Sequence, residues 1–72
     1  MTDTERLEGL MKGSGYKYSY IAQKLGISYQ ALRNKLDNKS EFLPTEIEML
    51  CNLLSITELK DKNDIFFALY VE

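Results

Sequence analysis

The chain has 72 residues with one cysteine and no histidine, and its net charge at pH 7 is −2. A chain of this length forms one small domain, and its composition excludes an intramolecular disulfide, a zinc finger and any catalytic triad that needs histidine. With neither a signal peptide nor a long apolar run, we expect a soluble intracellular protein with no membrane segment. We also expect no enzymatic activity, no metal and no cofactor.

The charge is distributed unevenly along the chain. Residues 1–11 carry a net charge of −2, residues 12–40 carry +5, and residues 41–72 carry −5. A basic middle segment suits a nucleic-acid surface. Affinity for DNA grows with the number of phosphates neutralised, however, and the acidic flanks oppose it. We therefore expect weak binding to DNA by the protein alone.

The first helix is predicted from a capping box over residues 2–5, with Thr2 as the N-cap and Glu5 reaching back. It is expected to run from about Asp3 to Lys12 and to end at the sequence Gly13-Ser14-Gly15. Its apolar positions, which should face the core, are Leu7, Leu10 and Met11.

Residues 20–36, with the sequence YIAQKLGISYQALRNKL, predict two short helices joined by a tight turn. Gly26 can adopt the positive φ that such a turn requires, and Ser28 is a good N-cap for the next helix. The second helix should begin within residues 17–19, and the third should run from Ser28 to about Asp37. The positions expected to face the core are Ile21, Ala22, Leu25, Ile27, Leu32 and Leu36. This is the geometry of DNA-binding helix-turn-helix motifs.

A fourth helix should open near Pro44, because proline suits the first helical position. Ile47, Leu50, Cys51 and Leu54 then form a buried stripe, in which Cys51 is a small hydrophobe rather than a reactive thiol. A short helical turn is expected over Glu58–Lys62. The apolar residues 65–71 fit either a strand or a packed extended tail.

Three segments carry a family resemblance: IAQKLGIS at residues 21–28, the polar helix that follows it, and LPTEI at residues 43–47. Together they resemble the lambda-repressor-like helix-turn-helix domains of temperate-phage regulators, the Cro and repressor group, over residues 4–56. The resemblance implies an all-α, five-helix DNA-binding domain, with residues 57–72 as an apolar C-terminal tail. The chain departs from the family pattern at Lys17, in place of a helix cap, and at Lys35, in place of an apolar residue.

The resemblance also implies that Ser28, Tyr29, Gln30 and Asn34 meet the bases or nearby phosphates of double-stranded DNA. Gln30 can pair with adenine and Arg33 with guanine through two hydrogen bonds each. The alternative is a solvated polar helix face. The full set of DNA-binding candidates is Ser19, Ser28, Tyr29, Gln30, Arg33, Asn34, Lys35, Lys39 and Ser40. Lys12 and Lys24 are interpreted as solubilising charges, and the tyrosines as core edges and groove walls rather than a stacking platform.

The apolar tail has two interpretations. It either caps the core of this domain or forms a partner interface. The interface candidates are Met49, Leu53, Phe66, Phe67, Leu69 and Tyr70. A homodimer through this surface would match Cro-like proteins, whereas a heterocomplex would place the acidic flank against a basic partner.

The length of the chain and its ending, Asp64 to Phe67, resemble a small group of phage antirepressors known as modulators of repression. That resemblance implies a regulator of the lysis–lysogeny switch in the cytoplasm of a host bacterium. Such a regulator binds the phage lysogeny repressor and, through its helix-turn-helix, operator-region DNA. The alternative is an autonomous, homodimeric Cro-like repressor that needs no repressor partner.

Overall fold

The computed structural model describes residues 1–69, and over that range it is all-helical, with no strand. The five helices are α1 (Thr4–Ser14), α2 (Tyr18–Leu25), α3 (Tyr29–Leu36), α4 (Pro44–Leu53) and α5 (Leu59–Phe66). The predicted all-α class with five helices is therefore confirmed for the described part of the chain. None of these helices is long and apolar enough to cross a membrane.

All five helices contribute to one core. Its buried apolar residues are Leu7, Met11, Ile21, Ala22, Leu32, Leu36, Phe42, Ile47, Leu50, Cys51, Ile65 and Phe66. The predicted inward positions of the two middle helices are confirmed for Ile21, Ala22, Leu32 and Leu36, while Leu25 and Ile27 are half-buried against the same core. Leu10 was expected in the core and is exposed instead.

The start of α1 differs from the sequence prediction. Asp3 is the N-cap, and its carboxylate accepts a hydrogen bond from the backbone N–H of Arg6 at 3.2 Å. Thr2 is instead buried. Its backbone N–H and C=O both bond the side-chain amide of Asn38, at 3.1 and 2.9 Å. A side chain 36 positions away therefore determines where Thr2 lies, and the predicted cap assignment was wrong.

The C-terminal segment is helical as far as Phe66, so a strand or an extended tail is wrong for Ile65 and Phe66. Both side chains enter the core, where the ring of Phe66 packs edge-on against Phe42 with centroids 5.8 Å apart. The backbone N–H of Asp3 donates to the carbonyl of Ile65 at 2.6 Å. These contacts anchor α5 to the start of α1, and the described residues Phe67 to Leu69 follow the end of the helix.

Candidate nucleic-acid interface

The connection between α2 and α3 is a three-residue turn with the predicted local features. Gly26 has φ 73°, and no heavy atom outside its own neighbourhood would obstruct a Cβ there, so the backbone conformation alone favours glycine. The backbone N–H of Ile27 donates to the carbonyl of Ala22 at 3.0 Å. The hydroxyl of Ser28 then caps α3 by accepting from the N–H of Ala31 at 3.0 Å. The start of α3 is therefore fixed by hydrogen bonds within the turn.

The first turn of α3 exposes polar side chains to solvent, while the opposite face of the helix is buried in the core. Ser28, Tyr29 and Gln30 are exposed, with 53% of Tyr29 accessible. The amide nitrogen of Gln30 donates to the amide oxygen of Asn34 at 3.1 Å, one turn further on. Two amide side chains are thus held side by side on this helix face, and neither carries a charge.

Arg33 lies in the middle of α3 but is held by carboxylates. Its guanidinium contacts Glu8 of α1 at 3.2 Å and Asp37 at 3.3 Å. Burial acts to lower the pKa of Arg33, but the two carboxylates outweigh it and the pKa is raised. Glu8 also accepts a hydrogen bond from the Tyr18 hydroxyl at 3.1 Å. Burial, followed by this hydrogen bond, raises the pKa of Tyr18 above its ordinary value of 10.0.

Lys35 was expected on the exposed face of α3, and that expectation is wrong. Only 12% of its side chain is accessible. Its ammonium pairs with the buried carboxylate of Glu46 at 3.0 Å, donates to the carbonyl of Glu41 at 2.9 Å and lies 5.8 Å from the centroid of the Phe42 ring. Leu36, one position later, takes the core position instead. Lys35 therefore links α3 to the start of α4 rather than facing solvent.

The remaining DNA-binding candidates are on the surface. Ser19 is exposed in the first turn of α2, and the side chain of the N-cap residue, Lys17, makes no capping hydrogen bond. Lys39 and Ser40 are exposed after α3. The backbone N–H of Lys39 donates to the carbonyl of Asn34 at 2.9 Å, which closes the end of the helix. These three residues are accessible to a ligand at either end of the two-helix unit.

A cationic and aromatic row on α2 was missed by the sequence interpretation. The rings of Tyr16 and Tyr20 stack with centroids 5.2 Å apart and an interplanar angle of 25°. The ammonium of Lys24 lies 5.5 Å from the centroid of the Tyr20 ring. The contact between Tyr20 and Lys24 had a signal in the sequence, because residues four apart are neighbours on a helix surface, whereas Tyr16 lies before the helix.

The predicted partner-interface residues are divided by the fold. Met49 is exposed, Leu53 is half-buried against the core, and Phe67 and Leu69 are exposed, with 95% of Leu69 accessible. Phe66 is only 2% accessible, so its assignment to an interface was wrong. Tyr70 lies outside the described residues. The exposed apolar candidates are therefore Met49, Phe67 and Leu69.

No group of three or more Cys, Asp or Glu side chains within residues 1–69 is arranged to hold a metal ion. Cys51 is free and buried in α4, and burial raises the pKa of its thiol. Comparisons of the chain with protein-family models, with curated proteins and with solved structures found no match.

Proposed function

We propose that the chain is a lambda-repressor-like helix-turn-helix regulator that binds double-stranded DNA through α3. One observation carries this proposal: Tyr29 and Gln30 are exposed at the start of a helix whose opposite residues, Leu32 and Leu36, are buried in the core. The Gly26 turn and the Ser28 cap fix this start relative to α2. A recognition helix docks in the major groove with its N-terminal residues against the base edges, which is the part that α3 exposes.

The chemistry of this exposed turn suits base recognition. An amide side chain can form two hydrogen bonds with adenine, and each good pairing contributes about 1–3 kcal/mol of discrimination. The hydrogen bond between Gln30 and Asn34 limits the rotamers of Gln30 before DNA arrives, which reduces the entropy lost on binding. Gln30 is therefore the principal base-reading side chain in this proposal, with Tyr29 and Asn34 beside it.

Dependence on a protein partner is the second part of the proposal. Arg33 and Lys35 are already paired with carboxylates of the same chain, so α3 contributes few free cations to phosphate binding. Met49, Phe67 and Leu69 are exposed apolar side chains available to a partner. Together with the resemblance to phage antirepressors, these features favour a regulator of the lysis–lysogeny switch that binds the phage lysogeny repressor and acts with it on operator-region DNA.

The DNA-binding part can be tested by selection from a random-sequence duplex library, followed by titration of the recovered duplex. We expect an enriched sequence, and Gln30→Ala should reduce the preference for it over an unrelated duplex by about tenfold or more. Gln23→Ala is the matched control, because Gln23 is an exposed glutamine on α2. An equal effect of the two variants, or no enrichment, would contradict recognition by α3.

The partner can be tested by titrating operator-region DNA with this protein, with the lysogeny repressor of the same phage, and with both. If the protein is an antirepressor, the mixture should give a complex that neither protein forms alone with the DNA. The double variant Phe67→Ser with Leu69→Ser should weaken that species, because both side chains are exposed in the free protein. A specific complex between DNA and this protein alone, unchanged by added repressor, would favour the autonomous Cro-like alternative.

A further inference from the structure

The lysine and arginine side chains of the described residues fall into two groups. Five are held in ion pairs with acidic side chains: Arg6, Arg33, Lys35, Lys60 and Lys62. The other four are exposed and have no ion pair with any side chain of residues 1–69: Lys12, Lys17, Lys24 and Lys39. Lys17 and Lys24 lie at the two ends of α2. Within the basic segment, residues 12–40, the free positive charge therefore lies outside α3, because Arg33 and Lys35 are paired.

The α2 row, defined here as Tyr16, Lys17, Tyr20 and Lys24, combines two of these free cations with two exposed phenols. Tyr20 contacts Tyr16, which precedes α2, and Lys24, which lies one turn later on the helix. These contacts restrict the side chains in the free protein, so less rotamer entropy remains to be lost on binding. Both hydroxyl and ammonium groups donate hydrogen bonds to phosphate oxygens.

We propose that the α2 row binds the phosphate backbone of duplex DNA and supplies much of the salt-dependent part of the affinity. This rests on the proposed function, in which α3 reads the bases. Binding to phosphates releases counterions in proportion to the number of cations that contact them. A cation already neutralised by a carboxylate of the same chain contributes less to that release. Lys17 and Lys24 are therefore better placed than Arg33 or Lys35 to contribute it.

The same geometry argues against base stacking on single strands as the role of this row. A base needs a free aromatic face. The ring of Tyr20 already has Tyr16 and Lys24 as its neighbours, while its hydroxyl remains available as a donor. A duplex backbone uses the hydroxyl and leaves the stacked rings undisturbed.

The test is the salt dependence of binding to a fluorescein-labelled duplex of mixed sequence, two helical turns long, followed by anisotropy. Between about 50 and 200 mM salt, Lys17→Gln and Lys24→Gln should each reduce the magnitude of the slope of log K against log salt by about 0.9. Tyr20→Phe should weaken binding about fivefold without changing this slope, because it removes a donor and no charge. Lys60→Gln is the matched control, since it removes the same charge from the exposed surface of α5.

Each outcome separates this proposal from base reading by α3. Slopes for the Lys17 and Lys24 variants equal to that of the Lys60 control would overturn it, even if Gln30→Ala abolishes sequence preference. Reduced slopes with an unaffected preference in Gln30→Ala would support the α2 row and contradict base reading by α3. No binding of the duplex by the wild-type protein at the lowest salt, or tighter binding of the single strand through the same side chains, would also overturn the proposal.

Discussion

The cations of α2 and α3 belong to the same basic stretch of sequence, yet the fold uses them differently. On α3, Arg33 is held by Glu8 and Asp37, and Lys35 by Glu46. On α2, the ammonium of Lys24 lies over the ring of Tyr20, and its charge is not neutralised by a carboxylate of residues 1–69. The formal charge of a segment is therefore not the charge available to a ligand. Carboxylates of α1 and α4, together with Asp37 at the end of α3, decide which of these cations remain free.

Breaking the buried ion pair between Lys35 of α3 and Glu46 of α4 should have the largest effect. Glu46→Ala should destabilise the protein by about 3 kcal/mol, because it leaves the ammonium of Lys35 without its buried partner and removes the acceptor of the Leu43 N–H, now at 2.8 Å. Chemical denaturation followed by circular dichroism measures it. Glu48→Ala is the control: its carboxylate is mostly exposed beside Lys62, and an exposed pair contributes at most about 1 kcal/mol. Equal losses in the two variants would contradict an anchoring role for Lys35.

The relative placement of α2 and α3 depends on the turn between them. Gly26→Ala should cost about 1–2 kcal/mol, because alanine is strained at a left-handed φ even where there is space for its methyl group. Gly9→Ala is the opposite case: Gly9 lies inside α1, nothing obstructs a Cβ there, and the change should stabilise by about 1 kcal/mol. Thermal unfolding of both variants, compared with the wild-type protein, measures the two changes in stability. A tolerated Gly26→Ala would show that the turn does not need its glycine.

The agreement between sequence and structure is greatest at this turn. Gly26, Ser28, Leu32 and Leu36 take their predicted roles because turn geometry, capping and helical spacing act over a few residues. Three of the errors depend on distant contacts. Thr2 is buried because Asn38 bonds its backbone, Lys35 turns inward because Glu46 lies opposite, and Phe66 enters the core because Phe42 is there to pack against it.

Removing the carboxylates that pair with Arg33 would give α3 a free cation, as α2 already has. The double variant Glu8→Gln with Asp37→Asn removes both carboxylates from the guanidinium, so it should bind duplex DNA more tightly and show a steeper salt dependence, by about 0.9 in the slope. Glu5→Gln with Glu58→Gln controls for the change in net charge, since both residues are exposed and have no ion pair within residues 1–69. A double variant that behaves like this control would show that the carboxylates do not limit Arg33.

The smallest expected effect is the ionisation of Tyr18. The pKa of Tyr18 is raised in the folded state, so above pH 10 the unfolded chain loses this proton first and stability falls until the folded pKa is passed. The wild-type protein should therefore lose more stability over this range than Tyr18→Phe. Denaturation at pH 9 and pH 11 measures the difference. Identical pH dependence in the two proteins would contradict the raised pKa.

In the proposed mode of binding, α2 and α3 together form the DNA-binding surface, with uncharged base-reading side chains on α3 and free cations on α2. Chemical-shift mapping of the isotope-labelled protein during titration with the selected duplex tests it most directly. The largest amide shifts should fall on Tyr29 and Gln30 of α3 and on Lys17 and Lys24 of α2, with little change in α5. Shifts confined to α4 and α5, with α2 and α3 unaffected, would contradict it.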